Sequence, residues 1–287
     1  MGPIIQWYPG HIAKAERALK EQLKQVDVIF EVRDARIPLA SCHPQIRQWA
    51  SGKQRLLVLN GMDRISDRDR QQWLTWFETQ GETVFFTNAQ RGEGIRRLEQ
   101  AAVRAGAAIN QRRQQRGMQV RAVRAVVLGF PNVGKSALIN RLLRQRVVES
   151  AARPGVTRQL RWVRLSPALE LLDAPGVLPM NFKNQEAAVK LAICDDIGQA
   201  AYDPCRVAPM LVDIMQQLGH ADRLRERYGL ALSNTGETYL YDLAASRYHG
   251  DLERAARQLL QDYRRGYLGA IALEHPPQSS NSTIASS

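Results

Sequence analysis

The sequence predicts an α/β protein: a mostly parallel sheet flanked by helices, followed by a domain built of helices alone. Three observations carry this expectation. Short apolar runs alternate with helical stretches as far as about residue 180, the pattern of parallel strands joined by helices. Beyond that point the strand-like runs stop and helical stretches follow one another. A glycine-rich turn, Gly129 to Ser136, lies between an apolar run and a helical one, making a strand–loop–helix unit.

Taken in order, Ile12, Ala15, Leu19, Leu23 and Val26 fall near helical spacing. Lys14, Arg17, Lys20 and Lys24 lie elsewhere around the axis, so this is an amphipathic helix with a basic outer surface. The run Val26 to Val32 reads as a buried strand leading into Arg33-Asp34-Ala35-Arg36. Further strands are expected at Leu56 to Leu59, Thr83 to Phe86, Val123 to Leu128, Leu160 to Leu165 and Leu169 to Leu172. Between them, Arg68 to Gln80, Ile95 to Ala108 and Lys135 to Leu143 read as helices. The later helices are Glu186 to Gln199, Val207 to Leu218, Ala221 to Tyr228, Thr238 to Tyr248 and Leu252 to Tyr263. The expected organisation is a sheet domain over 1–180 with a basic linker at about 104–121, then a helical domain over 181–275. Pro276-Pro277 opens a Ser-rich tail, 276–287, with the composition of a disordered segment.

Composition narrows the function classes. The 287 residues are 44% hydrophobic and 24% charged, as in an ordinary globular protein. Lysine and arginine number 40 against 28 aspartates and glutamates, giving a net charge of +12 that favours phosphate-bearing partners. Cys42, Cys194 and Cys205 share no metal-ligand spacing, and the five histidines do not cluster, so no structural zinc is expected. The first residues lack the basic-then-apolar pattern of a signal peptide, and no apolar stretch approaches the roughly 20 residues of a membrane helix. A cytoplasmic protein with no membrane partner is expected, and a monomer.

Gly129-Phe130-Pro131-Asn132-Val133-Gly134-Lys135-Ser136 matches GxxxxGK[ST], the P-loop. Average usage gives such a pattern about a one per cent chance in a chain this long, and its place after a strand and before a helix sharpens it. The backbone N–H groups of Asn132, Val133, Gly134, Lys135, Ser136 and Ala137 would converge on phosphate oxygens at the helix N-terminus. Lys135 would reach the β- and γ-phosphates and act in catalysis, and the Ser136 hydroxyl would bind Mg²⁺. Downstream, Leu169 to Asp173-Ala174-Pro175-Gly176 places an acid at a strand end. Asp173 would hold Mg²⁺ through water, and the Gly176 N–H would meet the γ-phosphate. Thr157, in Arg153-Pro154-Gly155-Val156-Thr157, would complete the Mg²⁺ shell as a switch residue.

Guanine recognition needs a carboxylate facing its N1–H and N2–H₂ edge. Asn60-Gly61-Met62-Asp63 follows a strand and keeps the Asn and Asp of the usual Asn-Lys-Xaa-Asp, with Gly61 in place of lysine. That lysine's stem covers one face of the base, so Gly61 forfeits packing and adds backbone freedom. Guanine preference with weaker affinity is expected. A second base loop, Thr87-Asn88-Ala89, follows the next strand. Ordinary Ras-like proteins carry the P-loop first and the base loops last. Here the order is reversed, a circular permutation that leaves sheet packing intact.

The sequence resembles the YlqF/RbgA family of circularly permuted ribosome-assembly GTPases. The match rests on Trp7-Tyr8-Pro9-Gly10-His11-Ile12-Ala13-Lys14-Ala15, Asp34-Ala35-Arg36-Ile37-Pro38, the P-loop and Arg153-Pro154-Gly155-Val156-Thr157. It runs from residue 6 to about 180 and departs at Gly61 and Ala174. The resemblance implies a P-loop GTPase fold and Mg²⁺-dependent hydrolysis of GTP to GDP. It also implies stimulation by the large ribosomal subunit and a role in its assembly. K⁺ is a candidate co-activator, with Asn132 as its ligand, although Asn132 equally reads as a residue shaping the loop. Val177 follows Gly176 and cannot orient water, so the resemblance passes that role to His11, whose bland reading is a helix-capping residue.

RNA is the expected anionic partner. Arg104, Arg112, Arg113, Arg116, Arg121 and Arg124 form one basic stretch; Arg254, Arg257, Arg264 and Arg265, beside Tyr263 and Tyr267, form another. Asp173 to Gly176 leads directly into the helical domain, so γ-phosphate contacts would reposition it. A nucleotide kinase would leave Asn60 to Asp63 unexplained, and a nucleotide-binding RNA scaffold with little hydrolysis is the alternative kept.

Overall fold

A computed structural model describes residues 19–143, 161–173 and 184–277. Its six strands are β1 (Val28–Asp34), β2 (Gln54–Asn60), β3 (Val84–Thr87), β4 (Val123–Leu128), β5 (Arg161–Ser166) and β6 (Leu169–Asp173). They form one sheet in the order β3-β2-β1-β4-β6-β5. Every pairing is parallel except that of β5 with β6. The central strands are apolar along nearly their whole length because both faces are covered: β1 is buried at every residue.

The two faces are read off the alternation. Val28, Phe30, Val32, Val58, Ala125, Val127 and Leu171 point into one continuous core, which extends through the C-terminal helices as far as Leu273. On the opposite face Ile29, Val126, Leu128 and Leu172 meet Leu19, Leu23, Val26, Ile46 and Trp49. The apolar stripe expected of the first helix is thus used where it is described. The first part of the expected helix, with Ile12 and Ala15, lies outside the described residues.

Helices α1 (Ile46–Trp49), α2 (Asp67–Thr79), α3 (Ile95–Gln115) and α4 (Lys135–Leu142) belong to the sheet layers. Then come α5 (Gln185–Cys194), α6 (Pro204–Gln217), α7 (Ala221–Tyr228), α8 (Gly236–Arg247) and α9 (Leu252–Arg264). Side-chain caps start several of them: Ser66 accepts from Asp69 N–H, Asn184 from Ala187 N–H and Asp251 from Arg254 N–H.

Three expectations are corrected. The first strand begins two residues later than expected, at Val28, because the chain turns at Lys24 to Val26. The basic stretch 104–121 is helical as far as Gln115, a continuation of α3 rather than a linker. The stretch Glu186 to Gln199 stops at Cys194, where Asp195 takes a left-handed φ of 67° and caps the helix, and resumes only as a turn at Gln199–Ala201. Among the described residues the core of the sheet continues into the C-terminal helices.

Polar contacts tie the helices to the end of β1. Asp34 and Arg36 form a buried ion pair, with Arg36 Nη2 2.6 Å from Asp34 Oδ2. The same Nη2 donates to the Cys194 carbonyl at 3.0 Å, and the guanidinium lies over the Tyr263 ring. Glu274 accepts from the N–H groups of Leu39 and Ala40. Burial alone would raise the Asp34 carboxyl, but the charge and hydrogen bonds of Arg36 outweigh it and hold the group below the ordinary aspartate value.

Candidate functional site

Because β1, β2, β3 and β4 run parallel, their C-terminal ends share one edge of the sheet. The chain moves outward from β1 to β2 and β3, then crosses back to place β4 on the other side of β1. A crevice at such a reversal is where open α/β sheets bind ligands. Asp34, Asn60, Thr87 and the glycine-rich loop all lie on this edge.

Asn60 joins the two halves of the site. Its Nδ2 donates to the Val133 carbonyl of the P-loop at 2.9 Å. Its Oδ1 accepts from the Thr87 hydroxyl at 3.1 Å and from the Ala89 N–H at 3.0 Å. One side chain thus holds both candidate base loops and the phosphate loop in register. Gly134 makes the approach possible: a β-carbon there would lie 2.2 Å from Asn60 Nδ2, and its φ of 97° disfavours any other residue.

The P-loop leads into α4, with Gly134 as its N-cap. Lys135 is buried and its Nζ donates to the Phe130 carbonyl at 2.6 Å, so the ammonium lies within the loop's own ring. Val133 is buried, whereas Ser136 and Ala137 in the first turn of α4 are half-exposed, accessible to an anion at the helix terminus. In the candidate base loops, Met62 and Asp63 open the short turn Met62–Arg64, and Asp63 is exposed. Asn88 Oδ1 accepts from the N–H groups of Gln90 and Arg91, while its buried Nδ2 has no partner among the described residues. A donor orphaned in this way suits a ligand acceptor. Arg141, from α4, donates to the carbonyls of Ala89 and Gln90 and pins this loop to the P-loop helix.

Asn132 has a left-handed φ of 56°, and its Nδ2 donates to the Asp195 carbonyl at 2.7 Å. The P-loop is therefore bonded to the cap of α5. Beside it Asp196 is buried, with neither carboxylate oxygen partnered among the described residues. Burial, reinforced by the Asp34 charge, pushes that carboxyl well above the ordinary aspartate value. The pairing of Val126 with Leu172 brings the backbone of Asp173 beside the end of β4. The expected roles of His11, Thr157 and Gly176, and the Asp173 side chain, fall outside the described residues. Asn60 to Asp63, Asn88, Ala89 and Asn132 to Ala137 are brought together. Arg141 and Asp195 carry no local signal in the sequence, because their contacts span up to 63 residues, whereas Arg64 lies one residue past the Asn60 to Asp63 motif and matches no position of it.

With this geometry in place, the comparisons with known proteins decide the family. Residues 124–234 match the model for the 50S ribosome-binding GTPase family. Ribosome biogenesis GTPase A of Bacillus cereus is 35% identical over 96% of this chain and 95% of its own length. The chain belongs to the YlqF/RbgA family of ribosome biogenesis GTPases. Mitochondrial ribosome-associated GTPase 1 of Xenopus tropicalis is 32% identical, over 94% of each chain. The crystal structure of GNP-bound YlqF from T. maritima superimposes with a TM-score of 0.61 at 25% identity, covering 92% of this chain and 98% of that one. The protein is thus a P-loop GTPase of the permuted kind, with its C-terminal helices in place. Among the described residues no helix is long and apolar enough to cross a membrane.

Proposed function

We propose that this GTPase binds GTP with Mg²⁺, hydrolyses it to GDP and phosphate, and acts in the cytoplasm as a monomeric switch in assembly of the large ribosomal subunit through contact with rRNA. The observation that carries the reading is the Asn60 network, which aligns a guanine-type loop with a phosphate loop in one crevice. The residues present suit the nucleotide. Asp63 would accept from the guanine edge, the loop Asn132 to Ala137 would cradle the phosphates, and Lys135 would turn to the β- and γ-phosphates. Mg²⁺ would be held by Ser136, Thr157 and Asp173, and would neutralise charge developing on the phosphoryl group. Gly176 would meet the γ-phosphate, and His11 would orient the attacking water.

For K⁺, the contact with Asp195 engages only Nδ2 of Asn132, and its Oδ1 remains the atom suited to a cation. The same contact supports gating. A γ-phosphate that moves the P-loop would pull on Asn132, and through it on the cap of α5, in addition to the link through Gly176.

The rRNA surface suggested by the side chains is α3, 21 residues and roughly 30 Å long. Arg104, Arg112 and Arg116 are exposed along it. The C-terminal candidates contribute less. Arg264 is engaged by the carbonyls of Ala192 and Ile193, Tyr263 is buried, and Arg257 is paired with Glu253. Arg121 and Arg124 are held by Asp27 and Glu170.

Co-sedimentation with purified large subunits tests the proposal. The GTP-analogue form is expected to pellet with subunits and the GDP form to remain in solution. Equal pelleting of both forms removes the switch.

A further inference from the structure

Gly61 stands where base loops of this type carry lysine, yet its surroundings are filled. Its φ is +83°, so a β-carbon is strained there. That β-carbon would lie 3.3 Å from Arg64 Cδ and 3.8 Å from both Cγ and Nε. A side chain leaving residue 61 would press closely against the stem of Arg64. The turn itself enforces this: Arg64 N–H donates to the Gly61 carbonyl at 2.9 Å, folding residue 64 back over residue 61.

The far end of Arg64 also points to function. Among the described residues its guanidinium makes no hydrogen bond or ion pair, yet its charge acts on both Asp34 and Asp196. Asp34 ends β1, and Asp196 follows the residue that holds Asn132 of the P-loop. The charge of Arg64 is therefore felt beside the base loop, at the end of β1 and at Asp196.

We propose that Arg64 is a nucleotide-binding residue that substitutes for the missing lysine, its aliphatic stem covering one face of the guanine base. An arginine stem offers apolar cover of this kind, and its planar head can lie on an aromatic ring. Gly61 and Arg64 are then a matched pair: the glycine makes room for the arginine. The inference rests on Asn60 to Asp63 being the base loop.

The test is calorimetric binding of GDP to the full chain and four variants, each checked for folding by circular dichroism. Arg64→Ala is expected to weaken binding about tenfold, and Arg64→Met, which keeps the stem, to stay within about twofold of the parent. Gly61→Lys alone is expected to bind no more tightly than the parent, because its side chain would press against the arginine stem. Gly61→Lys combined with Arg64→Ala is expected to bind about tenfold more tightly than Arg64→Ala alone. Full affinity in Arg64→Ala, loss in Arg64→Met equal to that in Arg64→Ala, or a gain from Gly61→Lys alone overturns the proposal. A separate variant, Asp63→Asn, checks the base loop itself. It should exchange GDP for xanthosine diphosphate, whose 2-oxo group accepts where guanine donates. Unaltered GDP preference there refutes the loop assignment instead.

Discussion

Replacing Asn60 by alanine removes three hydrogen bonds at once, to Val133, Thr87 and Ala89. Each contributes about 1 kcal/mol net, so roughly 3 kcal/mol of loop ordering is at stake. The Thr87 hydroxyl is fully buried, so its loss of a partner adds a desolvation penalty of the same order. Part of this total lowers stability, and part appears as weaker nucleotide binding, since the ligand must then order both loops itself. We expect GDP affinity to fall between about 10-fold and 100-fold, equivalent to about 1.4–2.7 kcal/mol, together with a lower Tm. Asn60→Asp is the sharper variant. It keeps an acceptor for Thr87 and Ala89 but sets a carboxylate against the Val133 carbonyl, so it should be no milder than alanine. Isothermal calorimetry with GDP and a thermal melt of each variant read both parts. Unchanged affinity and unchanged Tm in Asn60→Asp would refute Asn60 as the residue that holds the two halves together.

Further outcomes follow from single contacts. Gly134→Ala places a β-carbon against Asn60 Nδ2 and should abolish nucleotide binding while leaving the far-ultraviolet spectrum intact; measurable GDP binding would contradict the close approach. Arg36→Met leaves Asp34 charged, buried and unpaired, so urea unfolding should show a loss of about 3–5 kcal/mol, most of it recovered in the double variant with Asp34→Leu. Burial pushes the Tyr239 phenol up to about 12 from an ordinary 10.0. The folded state therefore holds this proton more tightly than the unfolded chain. The stability it contributes is complete below pH 10 and is lost as pH rises toward 12. Tyr239→Phe should flatten that part of the stability–pH curve in chemical unfolding. Arg104→Glu with Arg112→Glu should weaken binding to large subunits and reduce its salt dependence without altering GDP affinity, which filter binding at two salt concentrations would show.

Much of this was legible in the sequence, for physical reasons. A strand buried on both faces must be apolar throughout, so the runs around Phe30, Val58 and Val126 announce themselves. The P-loop is likewise local: glycine and lysine at fixed spacing between a strand and a helix. Asn60 stands out in the sequence as a base-loop candidate, but not as the side chain that reaches Val133, 73 residues away. The helix end at Asp195 carries no glycine or proline, and only the folded chain shows that its left-handed turn presents a carbonyl to Asn132. In the sequence Arg264 belongs to a basic stretch expected to contact RNA; its guanidinium caps α5 from another part of the chain. Gly61 read as a simple loss because the replacement cover, Arg64, is a matter of turn geometry rather than of motif.

The central claim, a GTPase switch coupled to the large ribosomal subunit, is tested most directly by GTP turnover with and without purified subunits, in potassium and then in sodium buffer. Slow hydrolysis by the protein alone, strongly accelerated by subunits and greater in potassium, is the predicted result. Turnover indifferent to subunits, with nucleotide still bound, would contradict the claim and leave a nucleotide-binding protein whose hydrolysis serves another partner.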